Sequence, residues 1–220
     1  MANKKKDFVI FGLGKFGRSI AETLTSKGCD VLAIDSKDDV IQDVADIVTH
    51  AVQADVTDID ALNSLGVRNF DVAIIAISQD MQSSIMATIL AKELGVPYVI
   101  SKAQNDIHKK VLEKVGVDRV IFPEREMGNR IANSLVSDNF LDYIELSADY
   151  SMAEITMMKE WSGKSLKALN MRANYGVNVM AIRNGDNINI TPGPDVVLND
   201  DDVLVVIGSN EDLMKLNMKK

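Results

Sequence analysis

Over its first two thirds the chain alternates short apolar runs with segments that carry an apolar residue every third or fourth position. The runs fall at 8–11, 31–34, 48–52, 72–77, 98–100 and 120–122, each of strand length. Between them lie amphipathic stretches, of which 80–94 is the clearest, with Met81, Ile85, Met86, Ile89 and Leu90 at helical spacing and Gly95-Val96-Pro97 as its stop. This Met-rich stripe is expected to face the core. Strand followed by helix, six times over, predicts an α/β fold: a Rossmann-type doubly wound parallel sheet.

The pattern changes after the sixth run. Pro123 suits the first turn of a helix, and Glu124 and Glu126 beside it suit the positive end of the helix dipole. Met127, Ile131 and Leu135 then line one face of a helix expected to run to about residue 139. Beyond it come short β-type runs at 143–146, 153–157, 177–182, 188–190 and 203–207, with brief helices near 165–169 and 210–216. The expected organisation is a nucleotide-type domain over 1–142, including the connecting helix, and a small α+β domain over 143–220.

The turn after the first run reads Gly12-x-Gly14-x-x-Gly17 and opens an amphipathic helix with Phe16, Ile20 and Leu24 on one face. In such a turn the first glycine bends the chain, the second lets a phosphate approach the backbone, and the third lets helix and strand pack closely. The free N–H groups at the helix start then face an anion. Asp35 ends the second run, eighteen residues past Gly17, where a carboxylate accepts hydrogen bonds from both hydroxyls of an adenosine ribose. Strand, glycine turn, helix and distant acid together predict nucleotide binding.

Composition narrows the class. A formal charge of −8, with no basic stripe interleaved with aromatics, argues against nucleic acid as a partner. Lys4 to Lys6 reads as a solvated tail. The single cysteine, Cys29, cannot form an internal disulfide and fits a reducing cytoplasm, where a small filler beside the sheet is its expected role. Neither a signal-peptide core nor a run long enough to span a bilayer is visible, so a soluble chain is expected, one that can still dock on a membrane partner.

Chemistry for consuming a nucleotide is hard to find. A dehydrogenase needs a proton donor or acceptor beside the nicotinamide. The second region has neither His nor Cys, and His50 and His108 read as structural imidazoles in the first. Metal-ligand spacing, a nucleophile elbow and a Walker lysine are all lacking. Trp161 and Tyr175 read as packing or partner-facing residues, and Asp200-Asp201-Asp202 as a turn. Binding, rather than catalysis, is the expected output.

From end to end the chain resembles the cytosolic RCK subunits of bacterial Ktr potassium-uptake systems, the KtrA/KtrC group. The resemblance is carried by FGLGKFGRSIAETL, THAVQADVTDIDALNSLGVRNFD, VISKAQNDIHKKVLEKVGVDRVIFPEREMG, MRANYG and TPGPDVVLNDDDVLVVIG, with VIFPEREMG and DDVLVVIG the most specific. It implies a non-enzymatic gating subunit that is cytoplasmic and held at the inner face of the membrane by a KtrB/KtrD-type channel. It also implies a homodimer built by the connecting helix, assembling into an octameric ring. The first domain would bind ATP or ADP, or NAD(H) as in some relatives. Gly12, Gly14 and Gly17 would shape the phosphate turn with Phe16 beside them, and Asp35 would take the ribose. Lys15 would meet the distal phosphate, Asp55 the adenine side, and Lys102 would be a further contact. Where the family's loop often carries Arg, Lys15 keeps the charge but loses bidentate reach. Glu124 resembles a carboxylate that holds Mg²⁺ or Ca²⁺ near the phosphates, against a plain helix-start role. In the second domain Leu166, Arg172, Asn178 and Pro194 match a cyclic di-AMP pocket in which Arg172 would meet a phosphate. The rival readings are an NAD-dependent oxidoreductase and a nucleotide or redox sensor resembling Rex-type repressors.

Overall fold

The computed structural model describes residues 5–77, 79–136 and 140–217. The chain divides into two compact units, Met1–Pro123 and Glu124–Lys220.

The first unit is a six-stranded, all-parallel sheet. In chain order it contains β1 (Asp7–Phe11), α1 (Lys15–Ser26), β2 (Asp30–Asp35), α2 (Asp38–Gln42), β3 (His50–Gln53), α3 (Ile59–Ser64), β4 (Val72–Ile75), α4 (Met81–Glu93), β5 (Tyr98–Lys102), α5 (Asp106–Val115) and β6 (Arg119–Ile121). The strand order is β3-β2-β1-β4-β5-β6. The order reverses between β1 and β4, so the carboxyl ends of these two strands open the crevice in which such sheets bind ligands.

Alternate residues of β1 serve opposite faces. Val9 and Phe11 pack with Leu32, Ile34, Ala73 and Ile75 on one side, and Ile10 packs with Val31, Ala33, Val72 and Ile74 on the other. All of β4 is buried, as continuous apolar runs require when helices cover both faces of a sheet.

Four expectations need correction here. The third strand begins at His50, because Val48 is buried in the preceding turn as core rather than as strand. The fourth ends at Ile75, which leaves Ala76 and Ile77 to line the crevice. On α4 the buried face is Ser84, Ala87, Thr88, Leu90 and Ala91. Met86 is 40% exposed, and Met81, Ile85 and Ile89 are only half-buried. The small residues win because they let the helix approach β5, where the hydroxyls of Thr88 and Ser101 hydrogen-bond at 2.8 Å. Lys5, expected in a solvated tail, is tied down by donating to the Gly28 carbonyl at 2.7 Å.

α6 (Pro123–Val136) carries the expected Pro at its first position and Glu124 and Glu126 in its first turn. Its continuation to residue 139 falls on residues 137–139, outside the described residues. Met127, Ile131 and Leu135 are 51%, 52% and 80% exposed, so the single chain leaves this stripe uncovered.

The second unit holds β7 (Phe140–Glu145), β8 (Tyr150–Thr156), α7 (Leu166–Leu169), α8 (Met171–Tyr175), β9 (Val177–Asn184), β10 (Asn187–Asn189), β11 (Val203–Ser209) and α9 (Asn210–Asn217). Its strands form an antiparallel sheet in the order β10-β9-β11-β8-β7. The core packs around Trp161, which is fully buried with Ile155, Leu169, Met171, Leu198, Leu204 and Leu213. The indole Nε1–H donates to the Tyr175 hydroxyl at 2.9 Å, and the two rings meet edge to face at 5.2 Å. Both residues are therefore packing residues. The acidic run is a turn, as expected: the buried Asp202 carboxylate accepts from Asn199 N at 2.8 Å and from Asn184 Nδ2 at 2.8 Å.

Candidate nucleotide-binding site

At the switch point the chain leaves β1 through a loop stitched on both sides. Gly12 N donates to Ile34 O on β2 at 2.8 Å, while Phe11 O accepts from Ala76 N after β4 at 2.7 Å. Gly12 has φ +90°, a left-handed conformation that side-chain-bearing residues rarely adopt. Gly17 answers to space instead: a Cβ there would collide with Gly12 O and lie 3.1 Å from the Ala76 Cβ. At Gly14 a Cβ would meet nothing within 4 Å. That open side is where a ligand can approach the backbone.

α1 starts at Lys15 with Gly14 as its N-cap. No side chain caps it, and its first turn contains no acidic residue. Its N–H groups and the positive end of its dipole are therefore available to an anion.

A cleft of about 320 Å³ lies against this loop. Gly12, Gly14, Asp35 and Asp55 line it together, with Ser36 and Lys37 just before α2, Val40 within it, Ala76, Ile77, Gln79 and Asp80 from the passage between β4 and α4, and Ser83 from the first turn of α4. Asp35 Oδ2 accepts from Leu13 N at 2.7 Å and Oδ1 from Lys37 N at 3.1 Å. The carboxylate thus braces the glycine loop and keeps lone pairs for hydroxyl donors, since each oxygen can accept twice. Asp55 Oδ1 accepts from Thr57 N at 2.8 Å and from the Thr57 hydroxyl at 2.7 Å. These two bonds, the backbone one foremost, hold the Asp55 carboxyl below the ordinary carboxylate range.

The other predicted nucleotide residues do not line the cleft. Gly17 is packed against the turn. Lys15 is exposed in the first turn of α1. Lys102 is buried at 5% exposure, with its Nζ 5.6 Å from the centre of the Phe16 ring, so these two form a cation–π pair between the end of β5 and the start of α1. Glu124 is exposed on α6. Among the described residues, no three His, Cys, Asp or Glu side chains gather as a metal site. Lys37, Asp80 and Ser83 were missed by the sequence reading. The signal for them was positional: residues just past the carboxyl ends of β2 and β4 border the switch point.

In the second unit only two of the four predicted residues, Arg172 and Asn178, contact each other directly. Arg172 Nε donates to Asn178 Oδ1 at 2.9 Å on the surface. Leu166 begins α7, and Pro194 O accepts from the neighbouring Lys167 N at 2.7 Å.

The two histidines differ. His50 is exposed at the start of β3. His108 is fully buried in α5: its Nδ1 accepts from Gln104 N at 3.3 Å, while Nε2 is buried without a protein partner. Burial pushes its pKa below the ordinary imidazole value of about 6.5. The unfolded chain then binds a proton more readily than the folded one. Stability is complete above about pH 6.5 and declines as the pH falls from there toward the folded-state pKa. Calorimetric melting at pH 7.5, 6.5 and 5.5 is expected to show this decline, and His108→Gln is expected to flatten it. A parallel decline in both proteins would refute the assignment.

Comparison with known proteins identifies the family. Residues 8–123 match the TrkA-N domain and residues 151–219 the TrkA-C domain. The chain is 44% identical over 215 residues to Ktr system potassium uptake protein C of Bacillus subtilis strain 168, covering 98% of this chain and 97% of that one. It is 42% identical over 212 residues to Ktr system potassium uptake protein A of the same organism, covering 96% of each. Among solved structures, the GsuK RCK domain superposes with a TM-score of 0.69 at 18% identity, over 99% of this chain and 48% of that one. The GsuK channel bound to NAD gives 0.68 at 17%, over 97% and 39%. The chain thus spans about half or less of these solved chains, and at such identity they establish the fold alone. With both domains in order and relatives above 40% identity along nearly its whole length, the chain belongs to the KtrA/KtrC-type RCK proteins of the Ktr potassium-uptake family.

Proposed function

We propose that this chain is the regulatory subunit of a potassium-uptake system, and that an adenosine nucleotide held in the N-terminal cleft is its signal rather than its substrate. The observation that carries this reading is the union, in one cleft, of an uncapped helix start, an open Gly14 backbone and an ionisable Asp35 at the end of β2. A phosphate belongs at the first two and a ribose diol at the third. ATP, ADP and NAD(H) all present that pair of groups, and the fold is shared with a channel bound to NAD and, more loosely, with GsuK bound to ADP. Lys15 and Lys102 would support the phosphates. Glu124 would contribute to holding Mg²⁺ or Ca²⁺ once phosphates supply further oxygens.

The function extends to a membrane partner. Among the described residues, no helix is long and apolar enough to cross a bilayer, so the potassium path would belong to a separate channel subunit, with this chain attached on the cytoplasmic side. The uncovered Met127, Ile131 and Leu135 of α6 would be buried by a second copy, making α6 the last element of a functional domain over 1–142 and the seam of a homodimer within an octamer. A nucleotide can then act only through unequal affinity for two states of that assembly, because a ligand bound equally by both shifts nothing.

In the domain over 143–220, Arg172 and Asn178 offer a paired surface site to a phosphate of cyclic di-AMP. A twofold dimer would count each arginine twice. Arg172→Ala is therefore expected to weaken cyclic di-AMP by roughly 2–4 kcal/mol while leaving ATP affinity unchanged. Calorimetry that finds equal cyclic di-AMP affinity in both proteins would remove this site.

The reading as a whole is tested by melting the protein with ATP, ADP, NADH or cyclic di-AMP. A ligand that binds only the native state raises the melting temperature with its concentration. Adenosine nucleotides without effect at millimolar concentration would contradict it.

A further inference from the structure

The cleft crosses the ends of four neighbouring strands, and its carboxylates follow their order, with Lys37 as the cation in its lining. Asp55 stands after β3, Asp35 at the end of β2, the glycine turn after β1, and Asp80 after β4. The turn offers backbone N–H groups, so an anion-binding centre is flanked by carboxylates on both sides. On the β2 side the acid takes a ribose, on the reading proposed above. The acid on the β4 side has no role in that reading.

The two helix starts at this cleft differ in chemistry. α1 has no side-chain cap, whereas Asp80 fills the start of α4: its Oδ1 accepts from Gln82 N at 2.9 Å and from Ser83 N at 3.3 Å, and its Oδ2 accepts from the Ser83 hydroxyl at 2.5 Å. These bonds, the Ser83 hydroxyl foremost, keep the Asp80 carboxyl below the usual carboxylate range, so it is charged at neutral pH. The N–H groups with which α4 would otherwise meet a phosphate are occupied by the chain's own anion. On the nucleotide reading, a ligand running from Asp35 across the glycine turn would present toward the β4 side, where Asp80 lines the cleft, whatever follows its second phosphate.

We propose that Asp80 is a specificity residue of the cleft: it favours a nucleotide that ends at the second phosphate, or that continues there as a hydroxyl-bearing sugar, over one that carries a third phosphate. A diphosphate places no further anion beside Asp80. A dinucleotide offers it hydroxyl donors. A triphosphate brings like charge against it unless a divalent cation intervenes, so discrimination is strongest when such cations are removed. This inference rests on the nucleotide reading of the cleft.

The test is titration of the full-length protein with ATP, ADP and NADH in EDTA, comparing the native chain with Asp80→Asn. Asparagine caps helices about as well as aspartate, so α4 retains its start and the fold is kept. The ratio of the ATP to the ADP dissociation constant is expected to fall about three- to tenfold in the variant, the scale of one partly screened charge at close range. NADH is expected to weaken or stay level. An unchanged ratio, or a weakening of ATP in step with ADP, would overturn the role of Asp80 while leaving the cleft a nucleotide site. No binding of any of the three to the native chain would overturn the reading of the cleft, and this inference with it.

Discussion

Gly17→Ala is expected to lower the stability of the first unit by about 1–3 kcal/mol or more, and to weaken every ligand of the cleft. The added Cβ has no room, because it would fall on the Gly12 carbonyl oxygen with Ala76 directly behind. The start of α1 must withdraw from the turn that follows β1. The same turn holds Gly12 N on Ile34 O and faces the cleft through Gly14, so relaxation there moves the N–H groups that an anion would meet. Thermal melting and nucleotide titration are expected to change together. A variant that melts and binds like the native chain would show that the close contact at Gly17 is dispensable.

Asp35→Asn is expected to weaken ATP, ADP and NADH alike, by about 1.5–3 kcal/mol, or roughly 10- to 150-fold in dissociation constant. The amide loses the charge-assisted acceptance of two ribose hydroxyls. The structure adds a second cost. Both carboxylate oxygens already accept backbone N–H groups, from Leu13 and from Lys37. An amide has one acceptor oxygen, and its NH₂ would face one of those donors, so part of the loss comes through the glycine loop. An unchanged dissociation constant by calorimetry would mean that the ribose lies elsewhere.

The parallel sheet was legible because each of its strands is an apolar run bounded by turn residues, and because a chain that alternates strand with helix has few ways to pack. What spacing could not show was which face of α4 is buried. Met81, Ile85 and Ile89 are more apolar than Ser84, Ala87 and Thr88, yet it is the smaller set that lies against β5. Close approach and a buried hydroxyl pair decide that face, and neither is visible in a period.

Within the site, Gly12, Gly14 and Asp35 were legible because backbone conformation and ribose recognition each demand one residue type at one spacing. Asp80 was not, since it enters the cleft only through sheet order: β4 lies next to β1 although two strands separate them in sequence. α8 went unforeseen because Asn170, with φ 45°, breaks α7 from a five-residue helix too short to show a period. His108 read as a satisfied imidazole, and one of its nitrogens is not.

The central claim is that a nucleotide in the cleft regulates potassium flux by being bound. It is tested most directly by measuring potassium uptake into vesicles that carry the membrane-embedded uptake subunit together with this chain, under ATP, a non-hydrolysable ATP analogue and ADP. Uptake is predicted to differ between ATP and ADP, to be the same for ATP and its analogue, and to lose its dependence on nucleotide in Asp35→Asn. Uptake indifferent to nucleotide while the cleft is saturated, or an effect of ATP that its analogue cannot reproduce, would contradict the account.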